Sequence, residues 1–168
     1  MPEAYVIEAV RTAVGKRNGS LAGVHPVDLG AAGWRGLFDR YQEIVATEPN
    51  PLERLKGLFM ASFEAIEHRH AQVVIYQDEA KRLSSQDRFS YVEKRNREQR
   101  KMWVDLLHEG VADGSFRPDL DVDLVYRFIR DTTWVSVRWY QPGGPLTAEE
   151  VGRQYLAIVL GGITKEGL

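Results

Sequence analysis

From Pro26 onward the apolar residues recur every three or four positions, the spacing of helices with one buried face. Leu29, Trp34, Leu37, Phe38, Tyr41, Ile44 and Val45 make the first stripe, with Pro26 suited to an opening turn and Pro49 as a stop. Asn50 then caps a second helix, with Pro51 at its first position and Glu53 where a capping box needs it. Leu52, Leu55, Phe59, Phe63 and Ile66 form its core face. A third helix runs from Ala71 to Leu83, where Val73, Val74, Ile75 and Tyr76 are too apolar for full exposure. Ser84, Ser85, Gln86 and Asp87 break it. A fourth extends from about Arg88 to Ala112, with Tyr91, Met102, Trp103, Leu106 and Val111 inward and Gly114 as its end. A fifth runs from Asp121 to Tyr140, between Pro118 and a Pro-Gly-Gly-Pro break. Thr147 and Glu150 form the capping box of the last, whose apolar side is Val151, Tyr155, Leu156, Val159 and Leu160.

Residues 1–25 have a different pattern. The stretch from Ala4 to Val10 is short and rich in β-branched residues, and glycines and polar residues follow it as far as Gly23. This reads as a strand and a loop, yet the chain offers no local partner for a strand. Such a segment either pairs with another chain or is not an ordered strand. The expected fold is therefore all-α: a helical bundle over residues 26–168 with a short extended N-terminal arm at 1–25.

The helix from Asp121 to Tyr140 carries one anomaly. On a helical wheel Leu124, Val125, Phe128, Ile129, Val135 and Trp139 share a broad apolar side. Asp123, Arg127, Arg130, Asp131 and Arg138 gather on a narrower charged side, with Trp134 in its midst. One explanation is packing, in which Trp134 covers a neighbouring helix. The other is a site where indole and guanidinium groups receive an anionic, partly apolar ligand.

Composition narrows the chemistry. With 168 residues and a formal charge of −2, the chain is one ordinary globular domain without an overall pull toward nucleic acid or membrane. It has no cysteine, which removes disulfides, thiolate nucleophiles and cysteine-bound metal. No apolar run approaches the ~20 residues of a spanning helix, and no signal-peptide core precedes the body, so a cytoplasmic location is expected. His68 and His70 stand two apart, do not share a helix face, and read as surface groups rather than metal ligands. Lys94, Arg95, Arg97, Arg100 and Lys101 form a basic run, but Glu93 and Glu98 are interleaved, as on a solvated helix face. No nucleophile elbow, P-loop, dinucleotide fingerprint or zinc spacing occurs, and the adjacent Asp78 and Glu79 point apart. No catalytic set and no cofactor are expected.

Two resemblances stand on longer runs. NPLERLKGLFMASFEAIEHRHAQVVIYQDEA (50–80), RKMWVDLL (100–107) and FRPDLDVDLVYRFIRDTTWVSVRWYQPGGPLTAEEVGRQYLAIVLGGITKEG (116–167) resemble the ligand-binding and dimerisation part of TetR-family repressors that control late cholesterol-ring degradation. Residues 1–37 are similar instead to the first strand, loop and helix of a thiolase (acetyl-CoA acetyltransferase), through Arg11-Thr12, Gly15, Gly19-Ser20-Leu21 and His25-Pro26. The chain thus looks like a chimera in which the thiolase-like segment stands where the repressor family carries its helix-turn-helix unit. The thiolase resemblance brings no catalysis, since that family works with cysteines. The repressor resemblance implies a TetR-type regulatory bundle that is not an enzyme. It implies a homodimer built on the helices from Asp121 to Tyr140 and from Thr147 to Leu160, no operator binding without the reading helix, and a CoA thioester of a bicyclic sterol-ring remnant as effector. On that reading Arg130 holds the thioester or CoA portion and Trp134 packs on the ring, with Arg127 and Arg138 one turn to either side. The competing arrangement pairs Arg130 with Asp131 or Asp123 of a partner subunit, and Trp134 fills the interface.

Overall fold

The structure, a computed structural model, describes residues 26–83 and 90–164, and the N-terminal arm expected at 1–25 lies outside these. Six helices follow one another: α1 (Pro26–Thr47), α2 (Pro51–His68), α3 (His70–Leu83), α4 (Ser90–Ala112), α5 (Val122–Val135) and α6 (Ala148–Ile163). No strand occurs among the described residues, and the all-α bundle is as the periodicity predicts. None of these helices is long and apolar enough to cross a membrane.

α2 is the central helix and packs against α1, α3, α4 and α6. Asn50 caps it, its side chain accepting from the backbone N–H groups of Leu52 (2.8 Å) and Glu53 (3.1 Å). Only half of the expected capping box forms. Glu53 turns away to Lys56 at 2.8 Å, and the Asn50 N–H is taken by Glu48. Leu55, Leu58, Phe59, Phe63 and Ile66 are almost wholly buried, and Ala61, Ser62 and Ala65 are buried as well. The helix is thus enclosed nearly all round, a wider burial than a single stripe implies.

At its far end α2 breaks for one residue, Arg69, and α3 begins at once with His70. His70 is not a free surface group: its ring nitrogen lies 2.8 Å from the carbonyl oxygen of Val137. After α4, Gly114 adopts a positive φ of 82°, which glycine allows without strain, and the chain turns back. Phe116 then bridges to Thr164 and packs, fully buried, so close to Gly110 that a Cβ there would lie 2.2 Å from its ring.

α5 departs most from expectation. Asp121 is its N-cap, and the regular helix stops at Val135 rather than Tyr140. The Ser136 hydroxyl donates to the Thr133 carbonyl, and residues 136–138 tighten into a 3-10 turn. The inward face is Val122, Tyr126, Ile129 and Thr133. Of the apolar side read from the wheel only Ile129 is buried; Leu124, Phe128, Val135 and Trp139 are 47–63% exposed. That apolar side faces mostly away from the chain's own core. In α6 Thr147 and Glu150 form the expected capping box, Val151 and Val159 of the apolar side are buried against the chain's own core, and Ile158 is the exposed large apolar residue at 68%.

Candidate functional site

A cavity of about 730 Å³ opens where α1, α3, α4 and α5 meet. Its aromatic part comes from three helices. Trp34 of α1 stacks on Tyr76 of α3, ring centres 4.6 Å apart and nearly parallel, and touches Trp134 of α5 at 4.5 Å with the rings tilted by 47°. Hydrogen bonds fix two of these rings. The Trp34 indole N–H donates to Gln99 Oε1 (3.2 Å), and the Tyr76 hydroxyl donates to Asn96 Oδ1 (2.9 Å), both acceptors on α4. Gln77 Nε2 donates to the Trp134 carbonyl (3.0 Å) and ties α3 to the last turn of α5. Burial pushes the Tyr76 hydroxyl up to about 12, so it remains a neutral donor across the working pH range.

The polar part is basic. Arg97, Arg100, Arg130 and Arg138 line the cavity against two carboxylates, Glu93 and Asp131. Arg97 pairs with Glu93 at 2.6 Å, Arg100 with Asp123, and Arg130 Nε with its own neighbour Asp131 at 2.7 Å. Arg138 has no ion-pair partner among the described residues. Arg100 and Arg130 both stand over the ring of Tyr126, at 5.9 and 5.8 Å. These pairs are largely solvent-exposed, so each is weak and readily exchanged for an anionic ligand group. Burial raises the Tyr126 hydroxyl, although the two guanidinium groups pull the other way.

Three of the four residues singled out on the sequence, Arg130, Trp134 and Arg138, reach this cavity; Arg127 is exposed and lies outside its lining. Trp134 is half-buried against Trp34 rather than standing alone among charges. Asp123 and Asp131 find their arginines within the same chain, at Arg100 and Arg130. The basic run on α4 makes the pairs expected of a solvated face, Arg97 with Glu93 and Lys94 with Glu98 (3.9 Å), while two of its members also serve the cavity.

Sequence reasoning missed Trp34, Tyr76, Gln99 and Tyr126. Tyr126 left a signal, since positions 126, 130, 134 and 138 follow at steps of four and form one continuous stripe. Trp34 and Tyr76 left none, because only the packing of α1 on α3 brings them together. Among the described residues no group of three His, Cys, Asp or Glu side chains could hold a metal ion.

The chain has known relatives. Over 132 residues the chain is 79% identical to "HTH-type transcriptional repressor KstR2" of Mycobacterium tuberculosis (strain ATCC 25618 / H37Rv), matching 79% of this chain and 66% of that protein. It therefore spans about two thirds of that relative's length. The solved structure "ketosteroid transcriptional regulator KstR2 of Mycobacterium tuberculosis" superposes with a TM-score of 0.82 at 74% identity, covering 84% of this chain and 72% of that one. A shorter stretch of 40 residues is 80% identical to "Steroid 3-ketoacyl-CoA thiolase FadA6" of the same strain, 24% of this chain and 10% of that protein. The family model described as "Tetracyclin repressor-like, C-terminal domain" matches residues 48–163, well over half of the molecule, and the chain belongs to that family.

Proposed function

We propose that residues 26–168 are the effector-binding and dimerisation body of a TetR-like repressor of sterol catabolism, and that residues 1–25 are a thiolase-like arm attached to it. The proposed effector is a CoA thioester of a bicyclic sterol-ring metabolite. The observation that carries this reading is the composition of the cavity, an aromatic floor from Trp34, Tyr76 and Trp134 beside a rim of four arginines. A phosphate-bearing tail suits the rim through charge-assisted hydrogen bonds, and a rigid apolar ring suits the floor. Arg130 and Trp134 are the proposed principal contacts, Arg138 the next, and Arg127 the weakest candidate because it lies off the lining.

The proposed dimer uses α5, the segment after it and α6. Leu124, Phe128, Trp139 and Ile158 are large apolar residues left in solvent on the elements this dimer would pair. The 168-residue chain is expected to bind effector but not operator DNA, because its first 37 residues resemble a thiolase rather than a DNA-reading unit; a gel shift at physiological salt tests this point. The alternative, a non-catalytic thiolase fragment, draws on the 40-residue match. Thiolysis above background would favour it, although the chain holds no cysteine to do the work.

Calorimetry with a panel of ring-bearing acyl-CoA thioesters tests the main reading. Arg130→Ala and Trp134→Ala are each expected to weaken binding roughly tenfold to a hundredfold, the weight of one charge-assisted contact or one stacked ring. The dimer and its melting temperature should remain. Binding that survives both changes while the dimer dissociates would move these residues to the interface and refute the site.

A further inference from the structure

Beside the main cavity lies a second, smaller and more enclosed space of about 10 Å³, room for one water-sized group. Gln99, Tyr126, Arg130 and Trp134 line both spaces. The inner wall adds Ser62 of α2 and Thr133 of α5. Ser62 is satisfied, because it donates to the Leu58 carbonyl (2.7 Å) and pairs with the Tyr41 hydroxyl. Thr133 is not. Its residue is 2% exposed, and its hydroxyl oxygen has no hydrogen-bond partner. The neighbouring Thr132 follows the usual helical habit and donates to the Phe128 carbonyl (2.7 Å). A buried hydroxyl without a partner, on a residue that lines a water-sized space beside the main cavity, suits one small polar occupant.

We propose that this chamber is an oxygen subsite: Thr133 is a specificity-determining residue that hydrogen-bonds a carbonyl or hydroxyl oxygen carried on the apolar ring of the effector. This rests on the effector reading above and narrows it from any ring-bearing thioester to oxygenated ones. The main cavity gathers the anionic tail at its arginine rim, and the ring lies along Trp134. A ring oxygen then enters between Trp134 and Arg130 and displaces whatever water fills the chamber. A site built to hydrogen-bond an oxygen discriminates against the analogue lacking it, because the buried partner is left unpaired.

The test compares 4-oxocyclohexanecarbonyl-CoA with cyclohexanecarbonyl-CoA by calorimetry on the full chain. Wild type is expected to prefer the oxo compound by roughly tenfold, the weight of one buried hydrogen bond. Thr133→Val should bind both alike, at the strength of the wild type with the unsubstituted ring, and Thr133→Ser should keep the preference. Melting curves of both variants establish that they fold. Should Thr133→Val fail to fold, a crystal structure of the wild type with the oxo compound decides: the ring oxygen in the chamber supports the subsite, and a water retained there overturns it. Equal binding of the two compounds by wild type, or an undiminished preference in Thr133→Val, also overturns it while leaving the effector reading intact. Failure of wild type to bind either compound overturns the subsite, and failure to bind the ring-bearing panel above as well overturns both.

Discussion

α2 and α5 are amphipathic stretches of the same chain, and they meet opposite fates. α2 is buried on nearly all sides and has a single task, which is packing: Leu55, Leu58, Phe59 and Ile66 are at 0% exposure. α5 divides its circumference among three environments. Val122 and Ile129 enter the core, Tyr126, Arg130 and Trp134 face the cavity, and Leu124 and Phe128 look into solvent. A helix with one task is specified by its apolar spacing. A helix with three is specified by what surrounds it.

The largest expected effect lies on the α2 side. Phe59→Ala removes a fully buried ring from the centre of the bundle, and it should cost about 3–5 kcal/mol. That is a large share of the ~5–15 kcal/mol that holds a domain together. Chemical denaturation measures it. A change of comparable chemistry on the open face of α5, Phe128→Ala, should leave the isolated chain's fold nearly as stable. Equal losses at the two positions would erase the contrast between the helices.

Next in size is the open apolar face itself. Phe128→Asp and Ile158→Asp place charges where Phe128 is 51% and Ile158 is 68% exposed. If that face is the proposed dimer surface, each should weaken association by about 2–4 kcal/mol, as loss of an interface anchor does. Light scattering would show monomers, while circular dichroism keeps its helical signal. A dimer unaffected by either change would put the interface elsewhere.

These two helices also show what the sequence made legible. Helix number and the caps at Asn50 and Thr147 followed from local pattern, because capping and periodicity are settled within a few residues. What covers α5 was not legible, because periodicity reports which residues are apolar, not which surface covers them. Leu124 and Phe128 are spaced like core residues, and a partner-facing stripe has the same period. The premature end at Val135 was hidden too, since it depends on the Ser136 hydroxyl bonding back to Thr133. At the site, Arg130, Trp134 and Arg138 were legible as polar and aromatic residues misplaced on one helix. Trp34 and Tyr76 were not, because the sequence separates them and only the packing of α1 on α3 stacks them.

Trp34 gives the third, smaller test, since its ring belongs to core and cavity at once. It is 8% exposed, yet it lines the cavity and bonds Gln99. Trp34→Phe keeps the stack on Tyr76 and loses the indole N–H. The expected cost to stability is about 1 kcal/mol, that of one buried hydrogen bond. Any thioester binding should weaken along with it. If stability falls and binding is untouched, α1 supports the core alone and the aromatic floor of the site consists of Tyr76 and Trp134 without Trp34.

The smallest effect concerns the joint that carries the chain from α5 into α6. The Tyr140 hydroxyl and the Ala148 backbone N–H (2.7 Å) both donate to Glu67 Oε2, fastening the end of the outer region to the central helix. The Tyr140 bond, followed by the Ala148 bond, holds the Glu67 carboxyl below its ordinary value of 4.5. A carboxyl depressed in the folded state contributes stability that is complete above its ordinary value and is lost as pH falls through the folded one. On the other limb, burial and then the bond to Glu67 push the Tyr140 hydroxyl up to about 12, so its contribution is complete below 10 and lost as pH rises toward 12. The joint is therefore fully formed between roughly pH 4.5 and 10. Glu67→Gln keeps an acceptor but not the charge, and at pH 7 its melting temperature should lie about 2 °C below wild type. Below pH 4.5 the two proteins should converge, because wild type alone has a carboxylate to lose. A gap that stays constant from pH 7 down to pH 3 would mean that the charge on Glu67 does not fasten α6 to α2, and that the outer region is joined to the core by packing alone.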